Sequence, residues 1–349
     1  MSENTYYKPR LLIGDQEIAL GMKGTISFPG NNQANTLTCT ITDPDFQNAK
    51  LFNQEVKMYL NYGSDDGVPI FRGFVKDVTP SDKETQIKAI DGRVYINSQN
   101  SIMAELTDDN NYDGYTLAAF LYDFIYTKVN KNRDNFSGAP VSYIGLDALK
   151  DTNPSISMSN IRTEPTPALN IATDQLKKAI DDSEIEKPLT YFIDMVDDGQ
   201  KSNITFVKQK QLTDIPSLEM SNSDGITKYS YNRRAPANYA IGGKTDFTYG
   251  NAPQGSIGMS VGGKFKDKNE AREELIKAIL LQYRETDEIS LTATKGHYIS
   301  LGSIIRLNLE DEDISGNHRL TSKTINYGPT KIGLSLKLNK KPTKLSDYI

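Results

Sequence analysis

EVKMYLNYGSDDGVPIFRGFVKDVTPSDKETQIKAIDG, residues 55–92, decides the fold class. Val56, Met58, Leu60 and Tyr62 alternate with Lys57, Tyr59 and Asn61. A period of two puts one set on an apolar face and the other on a mostly polar one, which predicts a half-buried strand. Ser64-Asp65-Asp66-Gly67 is turn chemistry. A second strand is predicted over 70–78, with Gly73 inside it, where glycine signals a bulge, a bend or a close backbone approach. After the turn residues Pro80-Ser81-Asp82-Lys83, a third strand is expected over 86–90, with Ile87 and Ala89 or their neighbours facing a core. The stretch reads as an antiparallel meander with one wet and one dry face.

The same grammar returns in EISLTATKGHYISLGSIIRLNLEDEDISGNHRLTSKTINYGPTKIGLSLKL, residues 288–338. Ile305, Leu307 and Leu309 alternate with Arg306 and Asn308. The acidic turn 310–313 and the link Ser315-Gly316 lead to a strand over 318–327. Gly328-Pro329 turns the chain into a last strand, where Ile332, Leu334, Leu336 and Leu338 alternate with Gly333, Ser335, Lys337 and Asn339. Leu51-Phe52-Asn53 enters the first copy where Leu301-Gly302-Ser303 enters the second. The two stretches share strand order and spacing rather than identities, and predict two small antiparallel β-barrels of one design.

Outward from these stretches, Leu11-Leu12-Ile13, 25–28 and 36–42 add strands, with Leu37, Cys39 and Ile41 on one side of the last. Six or seven strands by residue 91 suffice to close a small barrel. Thr116 is a good N-cap for the helical pattern LAAFLYDFIYTKV, whose stripe is Leu117, Phe120, Leu121, Phe124 and Ile125. Thr166 caps a second helix with Pro167 at its first position and Leu169, Ala172, Leu176 and Ile180 on its buried face. Residues 189–207 read as a hairpin turning at Asp197-Asp198-Gly199. ITKYSYNRR and ANYAIGG return to strands, followed by the Gly-rich loop YGNAPQGSIGMSVGGK and a helix capped by Asp267. The expected class is therefore α+β and β-dominated. Its expected domains are a first barrel over 1–95, an α+β module over 96–215, and a second barrel over 216–349 interrupted by the loop and helix at 250–285.

The bulk numbers narrow the function. The 349 residues fit two or three domains. A net charge of −5 argues against a nucleic-acid binder held by a basic face. The single cysteine, Cys39, cannot form an internal disulfide, and no run approaches the ~18 apolar residues of a membrane span. The N-terminus lacks the apolar core of a signal peptide, so folding in a cytoplasm is expected.

Chemistry is sparse. His297 and His318 each stand alone, with no partner at metal-ligand spacing, and read as structural or solvated. Cys39 falls on a core side without a base to activate it. Residues 258–264, GMSVGGK, fit GxxxxGK, but Phe265 stands where a phosphate loop needs Ser or Thr, and the preceding segment is not strand-like. The acidic pairs Asp108-Asp109, Asp181-Asp182 and Asp197-Asp198, and the run 310–313, fall in turns and helix ends. HExxH does not occur. No catalytic, cofactor-binding or metal residue is nominated, and no cofactor is expected.

GVPIFRGFVKDV leading into QIKAIDG, with LTCTITDPDFQNAKLFNQEVKMYL before it, resembles the first barrel of phage tail baseplate hub proteins. ISLGSIIRLNL, GNHRLTSKTINYG and IGLSLKL resemble the closing barrel of that family, which includes the late control proteins of contractile-tailed phages and the hub part of type VI secretion spike proteins. The resemblance implies a non-enzymatic structural hub in the virion's tail baseplate, assembled in the host cytoplasm. It implies a homotrimer whose six like barrels form a pseudo-six-fold ring, fitting a six-fold tail tube on one side and a three-fold central spike on the other, around a DNA channel. Implied partners are the tube protein, a separate spike chain (type VI relatives fuse theirs), the tape-measure protein and baseplate wedge proteins, without membrane span or specific nucleic-acid binding. The alternatives are the hub of a phage-like contractile injection system, a tail-tip protein of a non-contractile phage, a tail-associated cell-wall hydrolase using an acidic turn, or a glycan-binding module using some of the 19 tyrosines.

Overall fold

The meander folds as its alternation dictates. In the computed structural model Val56, Met58 and Leu60 are buried while Lys57 and Tyr59 are half-exposed. The structure describes residues 9–18, 21–30, 33–42, 46, 51–60, 68–93, 96, 103–104, 112, 114–126, 144–151, 158, 166–182, 191–208, 210, 212–233, 239–242, 247–249, 258–261, 287–310, 314–329 and 332–339. The turn 64–67, Asp108-Asp109, the acidic residues 311–313 and the helix capped by Asp267 lie outside them. The chain divides into two units, residues 1–209 with 322–335, and residues 210–321 with 336–349.

Among the described residues of the first unit, seven strands precede residue 91: β1 (Arg10–Ile13), β2 (Gln16–Ile18), β3 (Met22–Phe28), β4 (Thr36–Ile41), β5 (Glu55–Tyr59), β6 (Phe71–Pro80) and β7 (Thr85–Ile90). They lie side by side in the order β3-β4-β7-β6-β5-β1-β2, all antiparallel. Leu11, Ile26, Leu37, Cys39, Val56, Met58, Val75, Ile87 and Ala89 are fully buried along them. The bulge in β6 is not at Gly73 but between Val75 and Asp77, where Lys76 is the extra residue. Gly73 instead marks a close approach: a Cβ there would stand 2.5 Å from the Ile90 carbonyl oxygen and 2.7 Å from the Phe71 ring.

The rest of this unit mixes helices and strands: β8 (Met103–Ala104), α1 (Leu117–Phe124), β9 (Ile144–Gly145), α2 (Ala148–Asp151), β10 (Thr166–Pro167), α3 (Ala168–Asp182), β11 (Tyr191–Asp197) and β12 (Ser202–Lys208). Thr116 caps α1, its Oγ1 accepting from the Ala119 N–H at 3.2 Å. Thr166 and Pro167 do not open α3 but form β10, paired with β8, and the helix starts one residue later. Leu117, Phe120, Leu121 and Phe124 of α1 and Leu169, Ala172 and Leu176 of α3 share one core with Ile193, Ile204 and Phe206 of the β11–β12 hairpin. That hairpin turns where Asp197-Asp198-Gly199 requires it. Gly199 takes φ 90°, and Asp198 Oδ1 accepts from the Gln200 and Lys201 N–H groups.

The second unit carries β13 (Leu218–Ser221), β14 (Ile226–Arg233), β15 (Tyr239–Gly242), β16 (Phe247–Tyr249), β17 (Gly258–Val261), β18 (Asp287–Ala293), β19 (Ile304–Asn308) and the first parts of β20 (Gly316–Tyr327) and the last of β21 (Ile332–Asn339). The order β14-β18-β21-β20-β19-β13 repeats that of β3-β4-β7-β6-β5-β1, with β15–β17 set between β14 and β18 as a separate small sheet. One pairing departs from the repeat: β13 runs parallel to β19, whereas β1 runs antiparallel to β5. The C-terminal half of β20, Lys323–Tyr327, belongs to the first unit and pairs there with β3. The protein is a β-rich α+β fold.

Candidate functional site

The architecture rests on two features, a repeated turn and a pair of buried guanidinium groups. The turn opens each meander. In the first, the Gln54 N–H donates to the Leu51 carbonyl, the Asn53 N–H to Val75, and the Val75 N–H to Gln54. In the second, Ser303 donates to Ser300, Gly302 to Leu320, and Leu320 to Ser303. Asn53 (φ 63°) and Gly302 (φ 78°) hold the same left-handed position. These bonds align Leu51 with Ser300, one residue away from the alignment that the shared leucines suggest.

The strands before the turn repeat as well. Thr42 donates to the Gly21 carbonyl at 2.7 Å and Thr294 to the Gly225 carbonyl at 2.9 Å, both glycines at positive φ. LTCTIT (37–42) therefore matches ISLTAT (289–294), and Met22 of β3 matches Ile226 of β14. A bulge at Thr227 is the one extra residue in β14.

In the first unit, two arginines join the β11–β12 hairpin to the strands that precede it. Arg72 of β6, with its side chain 2% exposed, bonds Glu55 Oε1 at 2.8 Å, both carboxylate oxygens of Asp197, and the Gly199 carbonyl at 3.0 Å. Burial opposes its charge, but Asp197 and Glu55 more than offset that and raise its pKa. Arg93 bonds the carboxylate of Asp91 through Nε and Nη2, donates to the Ile193 carbonyl at 3.0 Å, and lies 3.3 Å from Asp194. Asp91 also accepts the Asn35 N–H at 2.8 Å. Asp194 is held above the usual carboxylate range by burial, against the pull of Arg93. Lys323 is buried beside this network, over the Phe28 ring at 4.6 Å, and burial brings its pKa down to about 8 against the attraction of Asp194.

The residues weighed for chemistry take other places. His318 is fully buried, with Nε2 donating to the Ile314 carbonyl at 2.9 Å, and His297 meets Tyr298 edge-on. Burial pushes the Cys39 thiol up to about 11, with Tyr327 against it, which leaves it a poor nucleophile. Asp197 is engaged by Arg72, and Asp198 by its own turn. Residues 258–261 of the GxxxxGK match form β17, parallel to β15. Among the described residues no group of His, Cys, Asp and Glu could hold a metal ion, and no helix is long and apolar enough to cross a membrane.

Sequence reasoning missed the two arginines. The hint in the sequence is Arg72 standing inside the mostly apolar run FRGFV, residues 71–75; all five positions are buried in the structure, and an arginine buried in such a run requires an opposite charge.

No protein-family model matches this sequence, and no curated protein does. Solved structures do. The tail protein from Neisseria meningitidis MC58 superposes with a TM-score of 0.66 at 11% identity, over 96% of this chain and 97% of that one. The 43 kDa tail protein of prophage MuSo2 from Shewanella oneidensis superposes with a TM-score of 0.66 at 9% identity, over 95% and 96%. A chain of a PdpA–VgrG complex gives 0.51 at 10% identity, over 96% of this chain and 65% of that one. The chain has the fold of the two tail proteins.

Proposed function

We propose that this protein is a structural, non-enzymatic component of a phage tail, the baseplate hub. Three copies form a ring of six like β-modules between the six-fold tail tube and the three-fold central spike, around the channel for DNA. The observation that carries this reading is the repeat within one chain: the same strand order, the same three-bond turn and the same glycine–threonine bond occur twice. A chain with two like modules presents six in a trimer, so three-fold assembly offers a near-six-fold surface. The likeness in fold to two tail proteins, one of them from a prophage, over nearly their whole length supports it. Arg72 and Arg93 suit the role, since buried bidentate pairs fix one element on another with little play.

The partners that follow are the tube protein, a spike protein, the tape-measure end and wedge proteins, with the virion tail as location. The fold likeness to a chain of a PdpA–VgrG complex favours a second reading, the hub of a contractile injection system. Mass measurement in solution, followed by imaging of assembled tail tips, tests both. A trimer seated between tube and spike is expected, and a chain that is monomeric and absent from tails overturns the proposal.

A further inference from the structure

We infer that neighbouring copies are joined by β-strand pairing between the outer edge of β14 in one copy and the segment Asp77–Pro80 of β6 in the next. This rests on the reading that copies assemble into a ring, and specifies the surface that joins them.

The internal repeat defines this junction. β3 and β14 are equivalent strands, and each pairs on one side with an equivalent neighbour, β4 and β18. The other side of β3 is covered by Lys323–Tyr327, the C-terminal half of β20. No strand covers the other side of β14 among the described residues, where it is the end strand of the order.

β20 has its own equivalent, β6. Both pair through their first residues with the strand after the turn, β20 with β19 over residues 316–319 and β6 with β5 over residues 71–74. β20 then goes on to cover β3. Residues 77–80 of β6 pair with β7 on one side, and no described strand lies on the other. The chain thus carries one occupied junction and both halves of a second.

Exposure agrees. Thr227, Lys228, Tyr229, Ser230 and Asn232 are all exposed, so β14 shows both faces as well as an edge, and Asp77, Thr79 and Pro80 are exposed too. The edge that β14 leaves unpaired among the described residues is a template for another chain. The occupant is a second copy because the complementary half is on this chain, in the arrangement that β20 already shows on β3. Transferring the observed register, in which Thr324 lies opposite Ser27, places Thr79 of one copy opposite Asn232 of the next. The bulge at Lys76 allows a slip of one residue.

Two single variants of the full chain, Thr79→Cys and Asn232→Cys, are co-expressed and treated with a short bismaleimide, whose reach spans that slip. Cys39 is buried and serves as the unreactive background. Unchanged circular dichroism and melting of each variant verify folding. The expected result is a product of twice the chain mass, whose cross-linked peptides join position 79 to position 232, absent from either variant alone. A sample that is multimeric by mass yet gives no such product overturns this junction and leaves the ring standing. A chain that is monomeric at every concentration reached overturns both.

Discussion

Asn53 and Gly302 occupy one turn position in two different settings. Each has positive φ, and each donates its N–H to the strand that follows the next, at Val75 and Leu320. The residue before Asn53 is Phe52, 60% exposed, whereas the residue before Gly302 is Leu301, only 6% exposed. The backbone of the turn is thus kept while its apex residue is presented to solvent in one module and buried in the other. An exposed phenylalanine on a turn fixed by three hydrogen bonds costs little further ordering when a partner covers it.

The shared geometry predicts opposite sensitivities. Gly302→Ala places a Cβ in the left-handed region and is expected to cost about 1–2 kcal/mol. Asn53→Gly, at the same backbone position, is expected to change stability by less than about 1 kcal/mol, since asparagine already tolerates that region. Urea unfolding of the two variants checks the contrast, and a larger loss from Asn53→Gly contradicts it.

The arginines predict much larger effects. Arg93→Met strips Asp91, 1% exposed, of its guanidinium partner and leaves Asp194 with the attraction of Lys323. Breaking one side of a buried pair in this way costs about 3–5 kcal/mol. Arg72→Met leaves Glu55 and Asp197, at 14% and 9% exposure, better able to recruit water, and a smaller loss is expected. Denaturant midpoints at neutral pH measure both, and near-neutral effects would show that the hairpin is held by its apolar core alone.

These two features differ in how far the sequence shows them. The strands were legible because alternation writes burial directly: Leu37, Cys39 and Ile41, or Leu334, Leu336 and Leu338, have the phase they have in space. The turn was legible in kind but not in register, since the shared leucines pull the alignment one residue away from the hydrogen bonds. The arginine networks were not legible as pairs. Arg72 and Asp197 stand 125 residues apart, and Arg93 and the Ile193 carbonyl 100. Nothing local in a strand or a hairpin turn says which distant charge it will meet. The departure at β13 is of the same kind, because the direction in which a strand is laid against β19 depends on the path of the chain and not on the pattern LEMS.

Cys39 gives a kinetic prediction. Its thiol is fully buried and raised to about 11 by that burial, so at pH 8 little thiolate is present and none is accessible. A chromogenic disulfide reagent is expected to leave the folded chain unmodified over minutes and to react with one thiol per chain once denaturant is added. Rapid reaction without denaturant would mean that β4 opens locally.

Lys323 makes stability depend on pH above about 8. Burial lowers its folded pKa from 10.5 to about 8, and Asp194 recovers only part of the loss. Between those values the unfolded chain binds more protons than the folded one, so stability from this group rises with pH from about 8 towards 10.5 and is constant below 8. The full difference corresponds to about 3 kcal/mol by the conversion of 1.36 kcal/mol per unit, less what the charge gains over the Phe28 ring. Lys323→Met keeps the stem and removes the charge, and is expected to stabilise the chain at pH 7 by up to that amount. Its advantage over the parent should shrink as pH is raised from 8 to 10. Paired urea titrations at pH 7, 8, 9 and 10 measure the difference. An advantage that stays constant over that range would mean that Lys323 remains charged in the folded protein.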